Sequence, residues 1–385
     1  MQTLKYYLMV FMFYLFRIFP IKKNKIVVSM FAGKGYGDNG KAIVNSLRKD
    51  SNEYDIVWLC KDCSEKFPAG VRAVPIVSLK SVYEQCTAKV WIDNRRKPGY
   101  VRKRKEQYYI NTCHGNHGLK KVEFDAEAVL SSAYLRAALN DSQMTNVVLS
   151  SSSFDTTVFR NGYRYSCEIL EIGYPRQDML FRGDETLKNE VKQKLGIPRD
   201  HKVLLYVPTF RNQMNAMDLS VYQLDWVGVL GALQNRFGTE WSGIARLHPN
   251  ISALSGEWEI PENVVDATNY PDMGELMLIA DCVISDYSSC IIEGGIAGKM
   301  CFFFAKDIAE YEKDRNFYIP IEQFPFPLAR NNDELISFID RFEQETYSDG
   351  VHHFFYGHYG LKITGRASEL AAERIRAIMF AEYLG

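Results

Sequence analysis

At 385 residues, with 46% hydrophobic and 13% aromatic content, the chain carries enough apolar material for a large core, and its length predicts two domains. Its 46 basic and 47 acidic residues leave a formal charge of -1, which excludes a molecule-wide basic surface for nucleic acid. Eight scattered cysteines fit reduced cytosolic thiols better than a disulfide framework, and Cys60 and Cys63 of "CKDC" lack the second CxxC that a four-ligand zinc site needs.

Residues 6–16 form an unbroken apolar run flanked by Lys5 and Arg17 and followed by Lys22, Lys23 and Lys25. The run is shorter than the ~20 residues that span a bilayer, and no small-residue cleavage motif follows it, so neither a transmembrane helix nor a signal peptide fits. Residues 1–24 are therefore read as a membrane-associating segment lying in the headgroup region, with a buried first helix as the plain alternative.

From Lys25 onward, strand-like runs alternate with amphipathic stretches: "KIVVSMF", "KAIVNSLRKD", "YDIVWLC", "LKSVYEQCTAKVWIDN". This is the rhythm of βα units around a parallel sheet. Between the first two lies "GYGDNG", Gly35 to Gly40, which satisfies GxGxxG in form. The acid that a dinucleotide site needs after the next strand is poorly matched by Asp62, so the stretch is read as a glycine-rich first turn beside an interdomain cleft.

"NRRKPGYVRKRKEQ", Asn94 to Gln107, holds seven basic residues in fourteen. A solvated loop competes here with a contact to an anionic lipid, a lipid-linked pyrophosphate or a phosphate-rich polymer. Nucleic acid is disfavoured, because few stacking aromatics are interleaved. "EQYYINTCHGNHG" then reads as a short strand ending in a turn, which puts His114 at a carboxyl end, where open α/β sheets gather ligand chemistry.

A join between Ile172 and Asp200, with Gly173, Pro175 and a charged helix, precedes a second α/β series. "LYVPTFRN" ends a strand in Thr209 and Arg211, and "IARLHPN" ends another in Arg246 and His248. Such strand ends suit a doubly charged phosphate ligand. In "CVISDYSSCIIEGG" a buried strand ends at Asp286, and Ser288 and Ser289 open a helix that includes Glu293. Free N–H groups and the helix dipole favour an anion there, while a plain serine cap is the structural alternative. His352, His353 and His358 near the end have no accompanying cysteine or acid cluster, so no metal is expected. The amphipathic "RASELAAERIRAIMFAEYL" closes the chain.

Taken in order, "WIDNRRKP", "YYINTCHG", "LKKVEFDAE", "EIGYPRQD", "YVPTFRN", "ARLHPN", "ISDYSSCIIEGG" and "GRASELAAERI" resemble the CDP-glycerol glycerophosphotransferase family. The resemblance implies a GT-B-like fold of two Rossmann-type domains, residues 25–180 for the acceptor and 181–364 for the CDP donor, with 365–385 as a closing helix. It implies peripheral attachment to the cytoplasmic face of the bacterial membrane. It also implies transfer of glycerol or ribitol phosphate from CDP-glycerol or CDP-ribitol to a prenyl-diphosphate-linked acceptor, without a cofactor.

His114 falls on the family histidine held to be the base and His248 on that of the RxHP motif, both assigned to catalysis, and Ser285 to Ser289 fall on the segment that holds the donor pyrophosphate. Thr209, Arg211, Arg246, Asp286, Ser288, Ser289 and Glu293 are assigned to the donor, and Gly115, Asn116 and Lys120 to the acceptor. The sequence departs from the family at Cys113, where a tryptophan is usual, and at Asn116 and His117. A sugar-nucleotide glycosyltransferase, a non-catalytic membrane scaffold and an NAD-dependent enzyme remain as rival readings. The oligomeric state stays open, a homo-oligomer included.

Overall fold

The computed structural model describes residues 2–50, 53–209, 219–247, 260–314 and 316–380. They divide into two compact units: Met1–His114, Val122–Asp178 and Lys362–Gly385 make the first, Gly115–Lys121 and Met179–Leu361 the second. No helix among the described residues is long and apolar enough to cross a membrane.

The first unit is built on a seven-stranded sheet in the order β3-β2-β1-β4-β5-β6-β7, and every pairing in it is parallel. Its strands are β1 Lys22–Ser29, β2 Asp55–Cys60, β3 Val71–Pro75, β4 Ala88–Asp93, β5 Tyr108–Asn111, β6 Val147–Ser150 and β7 Glu168–Glu171. Helices cover a parallel sheet on both faces, and so Ile26, Val27 and Val28 are all buried although successive side chains point to opposite sides. The strand order reverses between β1 and β4, where Ser29 pairs with Asp93; such a switch point leaves a crevice at the carboxyl ends.

The predicted stretch "LKSVYEQCTAKVWIDN" divides into the helix Leu79–Thr87 and β4. The first helix, Gln2–Leu15, buries Phe13 in this unit's core while Leu4, Tyr7, Leu8 and Phe11 stay exposed. The last helix, Ala367–Phe380, packs on the helix Asp38–Asp50. Its free first N–H groups are held by the Asp178 carboxylate, at 2.9 Å from Ala367 N and 2.7 Å from Ser368 N.

The second unit repeats the plan with six parallel strands in the order β10-β9-β8-β11-β12-β13. These are β8 Lys202–Val207, β9 Trp241–Ala245, β10 Val264–Asp266, β11 Cys282–Ser285, β12 Met300–Phe304 and β13 Leu328–Ala329. Its switch lies between β8 and β11, where Val207 pairs with Ser285.

Beyond the end of β4 the chain is fastened by buried charge. Lys97 Nζ lies 2.8 Å from the Asp93 carboxylate, and Lys97 N–H donates to Asp141 Oδ1 at 2.7 Å. The other oxygen of Asp141 is buried without a partner. Burial pushes the pKa of Asp141 up to about 7; the Lys97 N–H opposes this and the Asp93 charge adds to it. The folded protein therefore keeps a proton that the unfolded chain loses near pH 3.8. That contribution to stability is complete at low pH and disappears as pH rises through about 7. Asp141→Asn, which cannot ionise, is expected to escape this loss, so urea titrations should show a gain over wild type of about 2–4 kcal/mol at most at pH 8 and little gain near pH 4.

Candidate active site

In the first unit the switch-point crevice is furnished by three turns. Beyond β5, Asn111 Oδ1 accepts the Cys113 N–H at 2.9 Å, and Cys113 takes a left-handed φ of 54° that turns the chain sharply before His114. His114 Nδ1 lies 2.9 Å from the Asn94 carbonyl, which follows β4. A carbonyl only accepts, so Nδ1 carries the proton in the neutral ring and Nε2 is its basic nitrogen. The Phe31 ring, beyond β1, meets the imidazole edge to face at 5.8 Å.

His114 is exposed to solvent. Its pKa is nonetheless raised. The desolvation of the ring, the largest single effect, favours its neutral form, but the Cys113 sulfur, the Asn94 carbonyl and the Asp38 carboxylate together outweigh it. The imidazole is thus a stronger base than a free histidine.

In the second unit, Ser288 caps the helix Ser289–Ile296, its hydroxyl accepting from Cys290 N at 3.3 Å. The serine cap anticipated as the structural alternative is therefore present, and the helix start still directs its dipole at the space before it. Arg246 follows β9, half-buried, with Nη1 3.5 Å from the Met273 sulfur and within electrostatic reach of Cys290 and Asp272. Burial lowers its pKa, as expected of a guanidinium held inside the protein beside a helix start. A cation and a helix N-terminus in one place can hold a phosphate or a pyrophosphate.

Asp286 has a different surrounding from a ligand-facing acid. Its carboxylate accepts from Thr209 N at 2.9 and 3.0 Å and from Tyr287 N at 2.6 Å, tying the end of β8 to the end of β11 across the switch. Glu293 is buried in the second turn of the helix.

The segment Gly115–Lys121 belongs to the second unit. It runs antiparallel to residues 316–319, with Tyr318 N donating to Leu119 O at 2.8 Å and Ile319 N to Gly118 O at 2.9 Å. Gly115 lies so close to Ser289 that a Cβ there would stand 2.7 Å from the hydroxyl. Asn116 and His117 are buried, and the His117 carbonyl accepts from Tyr359. Lys120 lies 5.2 Å over the Tyr311 ring, which stacks on Tyr287 at 3.7 Å.

Within the second unit the structure thus gathers Arg246, Ser288, Ser289, Gly115 and Lys120 around one helix start and its neighbours. Arg211 and His248 lie outside the described residues. Four polar residues of the first unit escaped the sequence reading, namely Asp38, Asn39, Asn94 and Arg176. Their signal was present in part, since Asp38 and Asn39 stand in "GYGDNG" and Arg176 in "EIGYPRQD".

The family model for CDP-glycerol:poly(glycerophosphate) glycerophosphotransferases matches residues 11–376. A teichoic acid poly(glycerol phosphate) polymerase of Staphylococcus epidermidis is 30% identical over 92% of this chain and 51% of its own length. The chain thus spans about half the length of the first curated relatives it matches. A teichoic acid glycerol-phosphate transferase of Staphylococcus aureus is also 30% identical, over 84% of this chain and 85% of the relative. Among solved structures, the wall teichoic acid polymerase TagF superposes with a TM-score of 0.85 at 27% identity, covering 100% of this chain and 98% of the other. The fold, with two α/β units each built on a parallel sheet, is thus GT-B-like.

The carboxylate of Asp286 is committed to backbone N–H groups, so Asp286→Ala is expected to destabilise the second unit by about 1–3 kcal/mol in urea unfolding. An Asp286 that served only a ligand would leave the unfolding midpoint where it is.

Proposed function

The chain belongs to the CDP-glycerol:poly(glycerophosphate) glycerophosphotransferase family, and we propose that it transfers glycerol phosphate, or another polyol phosphate such as ribitol phosphate, from a CDP-activated donor to a lipid-linked acceptor. The product is a teichoic acid or capsule-type polymer, and CMP is released. The observation that carries this reading beyond family membership is the His114 imidazole, fixed through Nδ1 beyond the carboxyl end of β5, which leaves Nε2 as its basic nitrogen.

The acceptor hydroxyl gives its proton to His114 Nε2 while its oxygen bonds to the phosphorus that bears the polyol. The bond from that phosphorus to the bridging oxygen breaks, and CMP leaves with the electron pair. Arg246 and the helix start at Ser288 and Ser289 hold the pyrophosphate and offset the charge that grows on the departing CMP. By resemblance His248, Arg211 and Thr209 join them, with Asp286 and Glu293 shaping the pocket. Gly115, Asn116 and Lys120 serve the acceptor.

Attachment to the cytoplasmic face of the membrane is part of the proposal. Leu4, Tyr7, Leu8 and Phe11 expose an apolar face on the opposite side of the first helix from buried Phe13, and Ile18, in the turn that follows, is exposed as well. The basic loop is stitched beside it: Arg104 donates to Phe19 O at 2.8 Å, Arg17 to Lys103 O at 3.3 Å, and Tyr6 OH to Gly99 O at 3.1 Å. Aromatic and basic side chains on one surface suit an anionic bilayer. Phe11→Asp should weaken sedimentation with phosphatidylglycerol vesicles by about tenfold or more and leave thermal unfolding unchanged, because Phe11 is exposed. Unaltered sedimentation would remove this helix from the membrane contact.

The transfer itself is tested by CMP release from CDP-glycerol and from CDP-ribitol, with a prenyl-diphosphate-linked acceptor that already carries glycerol phosphate. Wild type should release CMP, and His114→Ala should be slower by roughly 10²–10⁴-fold. The base must be neutral to act, so the rate should fall about tenfold per pH unit on an acid limb lying above pH 6.5. Release from UDP-sugars alone would replace this reading with a glycosyltransferase. Folded protein that binds vesicles and turns over neither class of donor would indicate a scaffold.

A further inference from the structure

We propose that Asp38 positions His114 through Asn94, and that Arg176 governs how much of the negative charge of Asp38 reaches the imidazole. The glycine-rich turn "GYGDNG" then serves the reacting histidine rather than a dinucleotide. The proposal rests on His114 being the base, and it concerns only residues of the first unit.

The chain of contacts is continuous. The carbonyl that fixes His114 belongs to Asn94, and the side chain of Asn94 is itself held at both ends. Its Oδ1 accepts the Phe31 N–H at 2.7 Å, and its Nδ2 donates to Asp38 Oδ1 at 3.1 Å. An N–H on one side and a carboxylate on the other permit one amide orientation. The second oxygen of Asp38 takes Arg176 Nη1 at 2.9 Å, in an ion pair whose side chains are 9% and 8% exposed. The Arg176 N–H donates to Asn39 Oδ1 at 3.0 Å, and Asn39 Nδ2 donates to Cys113 O at 3.0 Å and Thr112 O at 3.3 Å. The ring of contacts thus leaves the His114 turn through Asn94 and returns to it through Asn39.

Backbone strain marks the same place. Six non-glycine residues have positive φ among those described, and Phe31, Ala32, Asp38 and Cys113 belong to these turns. Such conformations cost about 1–3 kcal/mol each and persist where the surroundings over-determine them. A cap for the helix Asp38–Asp50 needs an acid near its start, but it does not need that acid clamped to Asn94 and Arg176. Gly40 supplies the close packing of that helix, since a Cβ would stand 2.9 Å from Val28 and Met30 side-chain carbons.

The charged groups around the imidazole are Cys113 and Asp38, then Glu123 with its partner Arg96 at 3.1 Å, and the Asp93–Lys97 pair next to Asn94. Among them the Asp38–Arg176 pair allows a test by sign. Asp38→Asn removes a negative charge and should lower the His114 pKa. Arg176→Gln leaves Asp38 unbalanced and should raise it. General loosening of the turn would move both in one direction.

The experiment is an NMR titration of the full-length protein labelled at histidine Cε1, with His114 assigned by its loss in His114→Gln, beside CMP release as a function of pH. Opposite shifts are expected, with the acid limb of kcat following each one and kcat in Asp38→Asn reduced about 10- to 100-fold at little change in KM for CDP-glycerol. Asn94→Ala, which keeps the carbonyl and the Asp38 charge, should lower kcat similarly and serves if either charge variant fails to fold. Shifts of the same sign, or none, or an Asn94→Ala enzyme of wild-type kcat, would overturn the proposal. Opposite shifts with CMP release unaltered at every pH would keep the coupling and instead remove His114 from the chemistry.

Discussion

Every strand pairing in both sheets is parallel, and the placement of the polar residues at the strand ends depends on that constraint. A parallel strand can be followed by its neighbour only after a crossover, so the segments leaving the strands of a sheet all emerge along one edge. Where strand order reverses, the crossovers go to opposite faces and open a gap. Asn94, Phe31 and Asp38 lie at that gap in the first unit, and Thr209 and Asp286 at its counterpart in the second. Chemistry is concentrated there because the topology brings together loops from distant parts of the sequence, and because backbone groups beyond the last ladder bond need partners.

The alternation of apolar runs and amphipathic stretches made the βα plan legible, and β1, β2, β8, β11 and β12 follow the long buried runs. Shorter strands such as β6, β7 and β13 have too few residues for periodicity to register, and β7 exposes Glu168 and Glu171. The order of the eight motifs pointed to the family, which the match over residues 11–376 establishes. His114 was legible as a strand-end histidine. Its environment was not, for Asn94 and Asp38 are 56 positions apart, and Asp38 and Arg176 are 138 apart. A local pattern such as "GYGDNG" shows that a turn exists, but what the turn faces is decided by tertiary pairing.

Polar residues at strand ends also divide by function in a way that composition hides. Asp286 and Ser288 stand two positions apart in a stretch that looks uniformly suited to an anion. The carboxylate of Asp286 accepts from the N–H groups of Thr209 and Tyr287, where it stiffens the join of β8 and β11. Ser288 caps its helix and keeps the helix start well formed. A cation near this helix start comes from Arg246, just beyond β9. A preorganised anion site needs both kinds of residue, since donors held in place by the fold lose little freedom when a ligand arrives.

The chain crosses between its units at His114/Gly115, Lys121/Val122, Asp178/Met179 and Leu361/Lys362. Neither unit is therefore a single stretch of sequence. Seven residues that directly follow the histidine are built into the other unit, bridged antiparallel to residues 316–319, and the helix Ala367–Phe380 that completes the first unit is separated from the rest of it by residues 179–361. Shuffling between relatives is constrained accordingly. A chimera that exchanges residues 1–178 for those of a homologue imports a foreign Gly115–Lys121 segment into the resident second unit and leaves the incoming Asp178 to cap a helix from the other parent. A graft that respects the fold moves three segments of the first unit together and leaves this short segment behind.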